Sequence, residues 1–365
     1  MRVRAPLLYH QGELLGVEEV ELDNPHAGEV LVRMVASGVC HSCLHAADGS
    51  WTGIPTPMVL GDEGAGVVEQ IGPGVQTLHP GDHVILSWAP SCGQCRYCAT
   101  GRPQLCENRP EPSRMFDGTT RMRWRGQPLY HYGYVASFAP YSVVPESCAI
   151  PIREDMPLDK AALIGCSVMT GVGSVLNTGK VPAGASLAVF GAGGIGLNAI
   201  QGGDLVSATP IIAVDTIDAK LEFSRSFGAT HLVSARRDDP VAAIRRITGR
   251  GADYTVVAVG SAEAMQQAYE ALAPGGTCIV IGIPPTGSAL TLDASRIAGR
   301  EKRLVGSCYG SASVKADFPR MVDLYMSGKL KIDQLITKRY SIEEVNEAFR
   351  ALAAGELARG LISFV

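Results

Sequence analysis

The sequence contains no polybasic run and no basic stripe, and its formal net charge is −4. A chain without a concentrated positive face offers little to a phosphate backbone or an anionic bilayer, so nucleic acid and membrane are not expected partners. The N-terminus, MRVRAPLLYHQGEL, has no apolar stretch after its charges, which argues against a secretory leader. No run approaches the length of a membrane span, no internal repeat is visible, and there is no low-complexity linker. A cytoplasmic protein is the expectation.

What is present is globular in composition, 46% hydrophobic and 19% charged over 365 residues. That length exceeds one ordinary core and suits two domains. Roughly the first 160 residues are rich in Gly, Pro and Val. Short β-like runs there (GEVLVRMVASG, GAGVVEQIG, GDHVILSW) end in Pro or Gly turns, the pattern of an irregular all-β domain. Further on, apolar runs at 186–191, 210–215, 230–235, 253–260, 276–283 and 302–308 alternate with amphipathic stretches. Continuous apolar strands separated by helices predict a parallel sheet covered on both faces, a doubly wound dinucleotide fold. The tail SIEEVNEAFRALAAGELARGLISFV reads as a helix and a closing strand that returns to the first domain. The fold class is α/β, with boundaries expected at 1–167, 168–308 and 309–365.

LAVFGAGGIGLNAI holds Gly191-x-Gly193-x-x-Gly196 directly after an apolar strand and at the opening of a helix. That context is what a dinucleotide loop needs: a tight turn, then backbone N–H groups at a helix N-terminus facing a pyrophosphate. Asp215 ends the next strand, 19 residues after Gly196. A carboxylate there accepts from a ribose 2′-hydroxyl and repels a 2′-phosphate, which favours NAD over NADP. The plain alternative is a glycine-rich turn with a capping aspartate.

Ten cysteines in a reducing compartment suggest ligation or catalysis more than disulfides. SCGQCRYCATGRPQLC places Cys92, Cys95, Cys98 and Cys106 as C-x2-C-x2-C-x7-C. Four thiolates this close can close a tetrahedral zinc shell. An iron–sulfur cluster competes for the spacing, but the cysteine-proline that usually completes such a run is absent. With all four positions filled by protein, such a zinc is structural. Cys43, Cys148, Cys278 and Cys308 lack ligand spacing, and core packing is the expectation for them.

Together these pieces resemble the zinc-dependent medium-chain alcohol dehydrogenases along essentially the whole chain. The resemblance rests on GVCHSCLH (38–45), GDEGAG (61–66), the four-cysteine lobe, GCSVMTGVGS (165–174), GAGGIG, AVDTIDAK (213–220), IGIPP (281–285) and ELARGLISF. FDGTTRMRWRGQPLYHY is similar to the branch holding the liver-type and class III, glutathione-dependent formaldehyde-oxidising enzymes. The resemblance implies a GroES-like catalytic domain plus a Rossmann NAD-binding domain, an NAD-dependent alcohol dehydrogenase activity, and a homodimer or homotetramer.

It also implies roles. Cys40, position 62 and Cys166 would hold a catalytic zinc, with Glu63 near the metal. Ser42 would take the alcohol proton, and His45 would pass it toward solvent. His41 and Arg359 would meet the cofactor pyrophosphate, Lys220 the adenosine ribose. Thr170, Gly194, Ile195 and Ile283 complete the cofactor residues. Trp88, Tyr132, Gly133 and a neighbouring subunit's Cys308 would line the substrate pocket. Gly133 stands where relatives carry a larger apolar residue, so extra volume and a bulky or aromatic alcohol are expected. Zinc would act as a Lewis acid on the alcohol, and NAD would take the hydride from the zinc-bound alkoxide.

The departure lies at Asp62, where the family usually has histidine, and at Cys43, where it usually has a carboxylate that orients that histidine. An aspartate ligand has no ring N–H to orient, so the paired loss is coherent. Carboxylate oxygen is an acceptable zinc ligand, though the shell becomes one unit more negative and the metal a weaker Lewis acid. The alternatives are a reductase of activated C=C or C=N bonds without catalytic zinc, a non-redox lyase on the same scaffold, and a non-enzymatic NAD-sensing protein. No secure equivalent of the arginine that grips a glutathione adduct is found in loop 107–135, so a formaldehyde–thiol adduct is not the first-choice substrate.

Overall fold

The structure, a computed structural model, describes residues 1–356 and 358–364. Leu357 and Val365, in the tail read above as the closing segment, lie outside the described residues. The chain divides into two compact units, Met1–Ser167 with Ser313–Val365, and Val168–Ala312.

The first unit is built on two β-layers. A closed barrel joins Arg2–Leu8, Gly16–Leu22, Met122–Trp124, Gln127–His131 and Met58–Val59. A 7-stranded sheet runs Ala149–Pro151, His83–Leu86, Gly64–Ile71, Glu29–Val39, Arg359–Ser363 and Ile336–Tyr340, with Tyr141–Pro145 also paired to Glu29–Val39. Val, Leu, Ile and Met fill its interior: Val30, Val32, Leu86 and Val144 are completely buried. Between the layers Phe138 packs against Phe349, ring centroids 6.1 Å apart. Truncating a buried phenylalanine of this kind costs about 3–5 kcal/mol.

Registers in this sheet decide what meets at its end. Glu29–Val39 runs antiparallel to Gly64–Ile71 with Ser37 opposite Gly64. It also runs antiparallel to Arg359–Ser363, with Val39 opposite Gly360. The residue after the first strand (Cys40), those before the second (Asp62, Glu63) and the first of the third (Arg359) therefore emerge at one edge. Helix Leu158–Leu163 packs across Glu29–Val39, Gly64–Ile71 and His83–Leu86 and delivers Cys166 to the same place.

The second unit holds a 6-stranded parallel sheet in the order His231–Ser234, Ile211–Asp215, Leu187–Phe190, Ala252–Val257, Leu272–Val280, Arg303–Gly306. In chain order that is 3-2-1-4-5-6, the doubly wound arrangement. Leu187–Phe190 is buried at every position, as a central strand covered on both faces must be. Local signals set the helices. Asp239 accepts from the N–H groups of Val241 and Ala242, Pro240 occupies the first turn, and Gly249 at φ 76° ends Pro240–Thr248. Such an N-cap contributes about 1 kcal/mol.

The expectation that no run approaches membrane-span length is corrected by the helical run Leu158–Gly179. Its 22 residues have the length and composition of a span, and 83% of the apolar window is buried inside the protein, as in a core helix. Two stretches of it, Ile164–Val168 and Ser174–Gly179, are widened to π-helix. The reason is apolar density: a helix buried all round reads like a membrane helix.

Candidate active site

Cys40, Asp62 and Cys166 meet in the first unit, with one ligand atom from each lying within 4.8 Å of the others. All three are buried, at 3%, 5% and 6% exposure. Cys40 caps helix His41–Asp48, Asp62 sits in the turn before strand Gly64–Ile71, and Cys166 sits in the first π-widened stretch. π-turns inside α-helices recur at functional sites. Gly61 takes φ 103°, and a Cβ there would run into the Ser137 side chain and the Phe138 amide. Those residues close the turn: Ser137 N donates to Gly61 O (3.1 Å) and Phe138 N to Leu60 O (3.0 Å).

The Cys40 and Cys166 sulfurs are 3.9 Å apart. Two thiolates on one tetrahedral zinc at about 2.3 Å stand about 3.8 Å apart. The separation therefore fits one shared ion, and a third donor of carboxylate type lies beside the pair. Asp62 is held from both sides by consecutive residues of helix His41–Asp48. Ser42 Oγ donates to its Oδ2 at 2.6 Å, and Cys43 Sγ donates to its Oδ1 at 3.6 Å. Burial, with the negative charge of Cys40, pushes the Asp62 carboxyl up to about 7. Hydrogen bonding to Cys166 holds the Cys40 thiol below its ordinary value, while the same contact and burial push Cys166 up. Cys43 is also held well up, first by burial and then by the Asp62 charge. Acidic groups packed together give up their protons reluctantly, Arg359 offsets only part of that, and the donor set of two sulfurs and a carboxylate suits a divalent cation.

Glu63 is completely buried behind them. Its Oε1 accepts from the Ser167 N–H at 2.9 Å and from the Ser167 hydroxyl at 2.5 Å. Its Oε2 lies 3.8 Å from Arg359 Nε, and neither atom has a hydrogen-bond partner. Burial raises the Glu63 carboxyl and Arg359 lowers it. Gly38 leaves the room: a Cβ there would overlap the Glu63 carboxylate. Arg359 itself is 2% exposed and donates from Nη1 to Val39 O at 3.3 Å. The structure thus places this residue, expected at the cofactor pyrophosphate, among the charges around Cys40.

Trp88 and Tyr132 flank the trio; Tyr132 is 9% exposed, and burial holds its hydroxyl well above the ordinary range. Gly133 takes φ 57°, and a Cβ would stand 3.1 Å from the Cβ atoms of both Asp62 and Trp88, so the missing side chain lets these two approach closely. His45 is 32% exposed at its side chain, with Nδ1 buried and 3.9 Å from Asp48, and stacks at a tilt on Trp51 at 5.4 Å. His41 is exposed, its ring 6.1 Å from that of His45.

The four-cysteine lobe lies in the same unit. Its sulfurs all fall within 4.8 Å of one another. Backbone N–H groups aim at them: Cys92 N to Cys106 Sγ and Cys95 N to Cys92 Sγ at 3.3 Å each, Cys98 N to Cys95 Sγ at 3.5 Å. Asn108 Nδ2 adds a donor to Cys92 Sγ at 3.5 Å. The backbone N–H groups of Gln94 and then Cys95 hold Cys92 down to about 6, whereas burial raises Cys98. Four sulfurs with N–H donors around them fit a closed zinc site.

The glycine loop belongs to the second unit. Gly191 turns at φ 95°, and a Cβ on Gly196 would strike the Gly191 carbonyl, so helix Gly194–Leu205 packs hard on its strand. A Cβ on Gly193 would meet nothing, so backbone faces open space there. Gly194, Ile195 and Gly196 begin the helix with no side-chain cap, leaving first-turn N–H groups for an anion. Asp215 accepts from Ala192 N at 2.7 Å and Ile217 N at 2.9 Å, and a carboxylate's remaining lone pairs suffice for a ribose diol. These residues fit a dinucleotide. Lys220 is half-buried, Thr170 is 6% exposed and Ile283 is 60% exposed. Among cysteines expected to pack in cores, Cys148 and Cys278 are completely buried, and Cys308 departs by being exposed. It lies just beyond the edge strand Arg303–Gly306, at the cap of the turn Tyr309–Ser311.

One contributor, Ser167, escaped the sequence reading; Cys43 is singled out there as the partner departure to Asp62, and the structure puts its thiol on the Asp62 carboxylate. Cys43 lies three residues after Cys40, a spacing that shares one helix face.

Residues 26–154 match the family described as alcohol dehydrogenase GroES-like domain, and residues 194–327 match zinc-binding dehydrogenase. The chain is 42% identical to alcohol dehydrogenase class-3 of Cereibacter sphaeroides, covering 100% of both. It is 39% identical to S-(hydroxymethyl)glutathione dehydrogenase of Paracoccus denitrificans, again over 100% of both. The crystal structure of benzyl alcohol dehydrogenase from Acinetobacter calcoaceticus superimposes with a TM-score of 0.95 at 33% identity over 100% of each chain.

Proposed function

The chain belongs to the zinc-dependent, NAD-using alcohol dehydrogenases, as a class III-like member, and on that premise we propose that it interconverts a primary, bulky or aromatic alcohol and its aldehyde. Its substrates are alcohols or aldehydes. We assign the catalytic zinc to Cys40, Asp62 and Cys166, the structural zinc to Cys92, Cys95, Cys98 and Cys106, and NAD to the Gly191–Gly196 loop with Asp215. Bound there, the catalytic zinc supplies a Lewis acid that eases loss of the alcohol proton, and NAD supplies the hydride acceptor.

The chain's own residues do the rest. Ser42, whose hydroxyl donates to Asp62, would accept the hydrogen bond of the alcohol and take its proton while giving up its own. His45, partly exposed at the next turn of the same helix, would release a proton to water. Trp88 and Tyr132 wall the alcohol's apolar part. Glu63 and Arg359 set the charge around Cys40. We place the working form as a homodimer or homotetramer in the cytoplasm. The edge strand Arg303–Gly306, with Leu304 41% exposed, offers an unpaired ladder to a second copy.

The observation that carries the substrate preference concerns the arginines of loop 107–135. There are five, at 109, 114, 121, 123 and 125, and each already has an internal partner. Arg121 is 1% exposed and bonds Glu29 and Asp117. Arg114 bonds Gly118 O and covers the Tyr130 ring, Arg109 bonds Gln104 O, Arg123 bonds Asp23, and Arg125 lies over the Trp124 ring. The one deeply buried arginine of the loop, Arg121, is thus spent on the protein's own carboxylates, while aromatic side chains flank the trio. The test is kcat/KM with NAD for benzyl alcohol, ethanol and S-(hydroxymethyl)glutathione. Burying an aromatic ring contributes about 1.5–3 kcal/mol, so benzyl alcohol should exceed ethanol by about 10–100-fold. Preference for S-(hydroxymethyl)glutathione would place the chain with its Paracoccus denitrificans relative instead.

A further inference from the structure

We propose that Cys43 is a positioning residue of the metal centre, its thiol fixing the Asp62 carboxylate so that one side of that carboxylate stays turned to the Cys40–Cys166 pair. The proposal rests on the reading that Asp62 is a metal ligand.

Carboxylates swivel, and a carboxylate ligand is useful only if its orientation is fixed before the ion arrives. Asp62 has two oxygens and two holders. Ser42 Oγ takes Oδ2 at 2.6 Å, and Cys43 Sγ takes Oδ1 at 3.6 Å. The two holders are consecutive residues at the start of helix His41–Asp48, whose cap is Cys40, itself a member of the trio. One helix turn thus carries a sulfur of the trio and both donors to the carboxylate. Ser42 is committed to the substrate's proton in the reaction proposed above. Cys43 has no such duty: it is completely buried, faces Asp62 from behind, and falls outside the trio whose ligand atoms approach within 4.8 Å. Relative to the family pattern, the roles are exchanged. Where a carboxylate stands behind a histidine ligand, here a thiol stands behind a carboxylate ligand.

A thiol is a weak donor and also a small apolar group, so packing and positioning must be told apart. Two substitutions do so, because they rank in opposite order under the two roles. Cys43→Ala keeps an apolar filler and deletes the donor; Cys43→Ser keeps a donor and adds a polar group to a buried spot. The measurement is zinc per chain and zinc affinity against a competing chelator on the intact protein. The lobe's zinc and the melting temperature serve as folding controls, and the d–d bands of the cobalt-substituted protein report ligand geometry. Wild type should hold two zinc ions. Cys43→Ala should bind the second about 10–100-fold more weakly, with shifted cobalt bands and an intact lobe. Cys43→Ser should recover most of the affinity and the wild-type bands. If Cys43→Ala binds as tightly as wild type, or better than Cys43→Ser, the positioning role is wrong. Wild-type stoichiometry is read first: one zinc per chain would overturn the Asp62-ligand reading itself, and this inference with it.

Discussion

The two cysteine sites sit in one unit and are built on opposite plans. The lobe draws its four sulfurs from sixteen consecutive residues, Ser91–Cys106, and holds them with backbone N–H groups. Three of its cysteines are partly exposed. The trio draws its donors from three distant segments brought together by sheet register, buries all of them, and surrounds them with Glu63, Arg359, Ser42 and Cys43. The lobe offers four ligands and closes its shell; the trio offers three and leaves a position for a reactant. Local construction suits a staple. Long-range construction puts a metal where the protein can tune charge and proton movement.

Breaking the lobe should unfold; breaking the trio should only inactivate. Cys95→Ser should cost one zinc and about 5 kcal/mol of stability, since loss of a structural metal is among the largest single-residue effects. In the first unit that is roughly 10–20 °C in melting temperature, read by calorimetry. An unchanged melting curve would deny the lobe its structural role.

Cys40→Ser should leave melting nearly unchanged and lower kcat by about 1000-fold, because a Lewis acid contributes several kcal/mol to the transition state. Activity that survives this change, and survives a chelator, would favour metal-free reduction of an activated double bond.

The surroundings of the trio should behave like a charged interior. Arg359→Ala leaves Glu63 buried without its counter-charge, 3.8 Å away in the native site. Removing one partner of a buried pair costs about 3–5 kcal/mol. Arg359→Ala with Glu63→Gln should recover part of that loss in urea denaturation; no recovery would mean the two residues act independently.

His131 lies outside both sites and serves as a control on pH. It is completely buried, and its Nε2 accepts from Arg121 N at 2.9 Å. Burial and the Arg121 charge hold its pKa down to about 3. The unfolded chain takes up this proton near pH 6.5, the folded chain only near 3. This group's stability contribution is therefore complete above about pH 6.5 and falls by about 1.4 kcal/mol per unit as pH drops toward 3. His131→Gln should flatten that slope without changing either zinc count.

The sequence revealed these regions unequally, for the reason that separates their construction. The lobe could be read outright, because its ligands are neighbours in the chain. The strand–Gly-rich turn–helix of the second unit was equally plain, and six apolar runs became six parallel strands. The trio was legible only through resemblance, since nothing local in GDEGAG states that strand registers bring Asp62 to Cys40 and Cys166. The contacts of Asp62 were legible only in part: the paired departure coupled positions 43 and 62, but that the Ser42 hydroxyl and the Cys43 thiol each take one carboxylate oxygen shows only once the chain is placed. Gly133 shows a related limit: a missing side chain in the sequence signals either space or close approach, and the close neighbours, Asp62 and Trp88, become visible only once the chain is placed.

Asp62 completes a working metal site only if purified protein holds its ion, which elemental analysis reads. Two zinc ions per chain are expected in wild type and one in Asp62→Ala, with the lobe's ion retained. One ion per chain in wild type, unchanged by Asp62→Ala, would mean that Asp62 holds no metal.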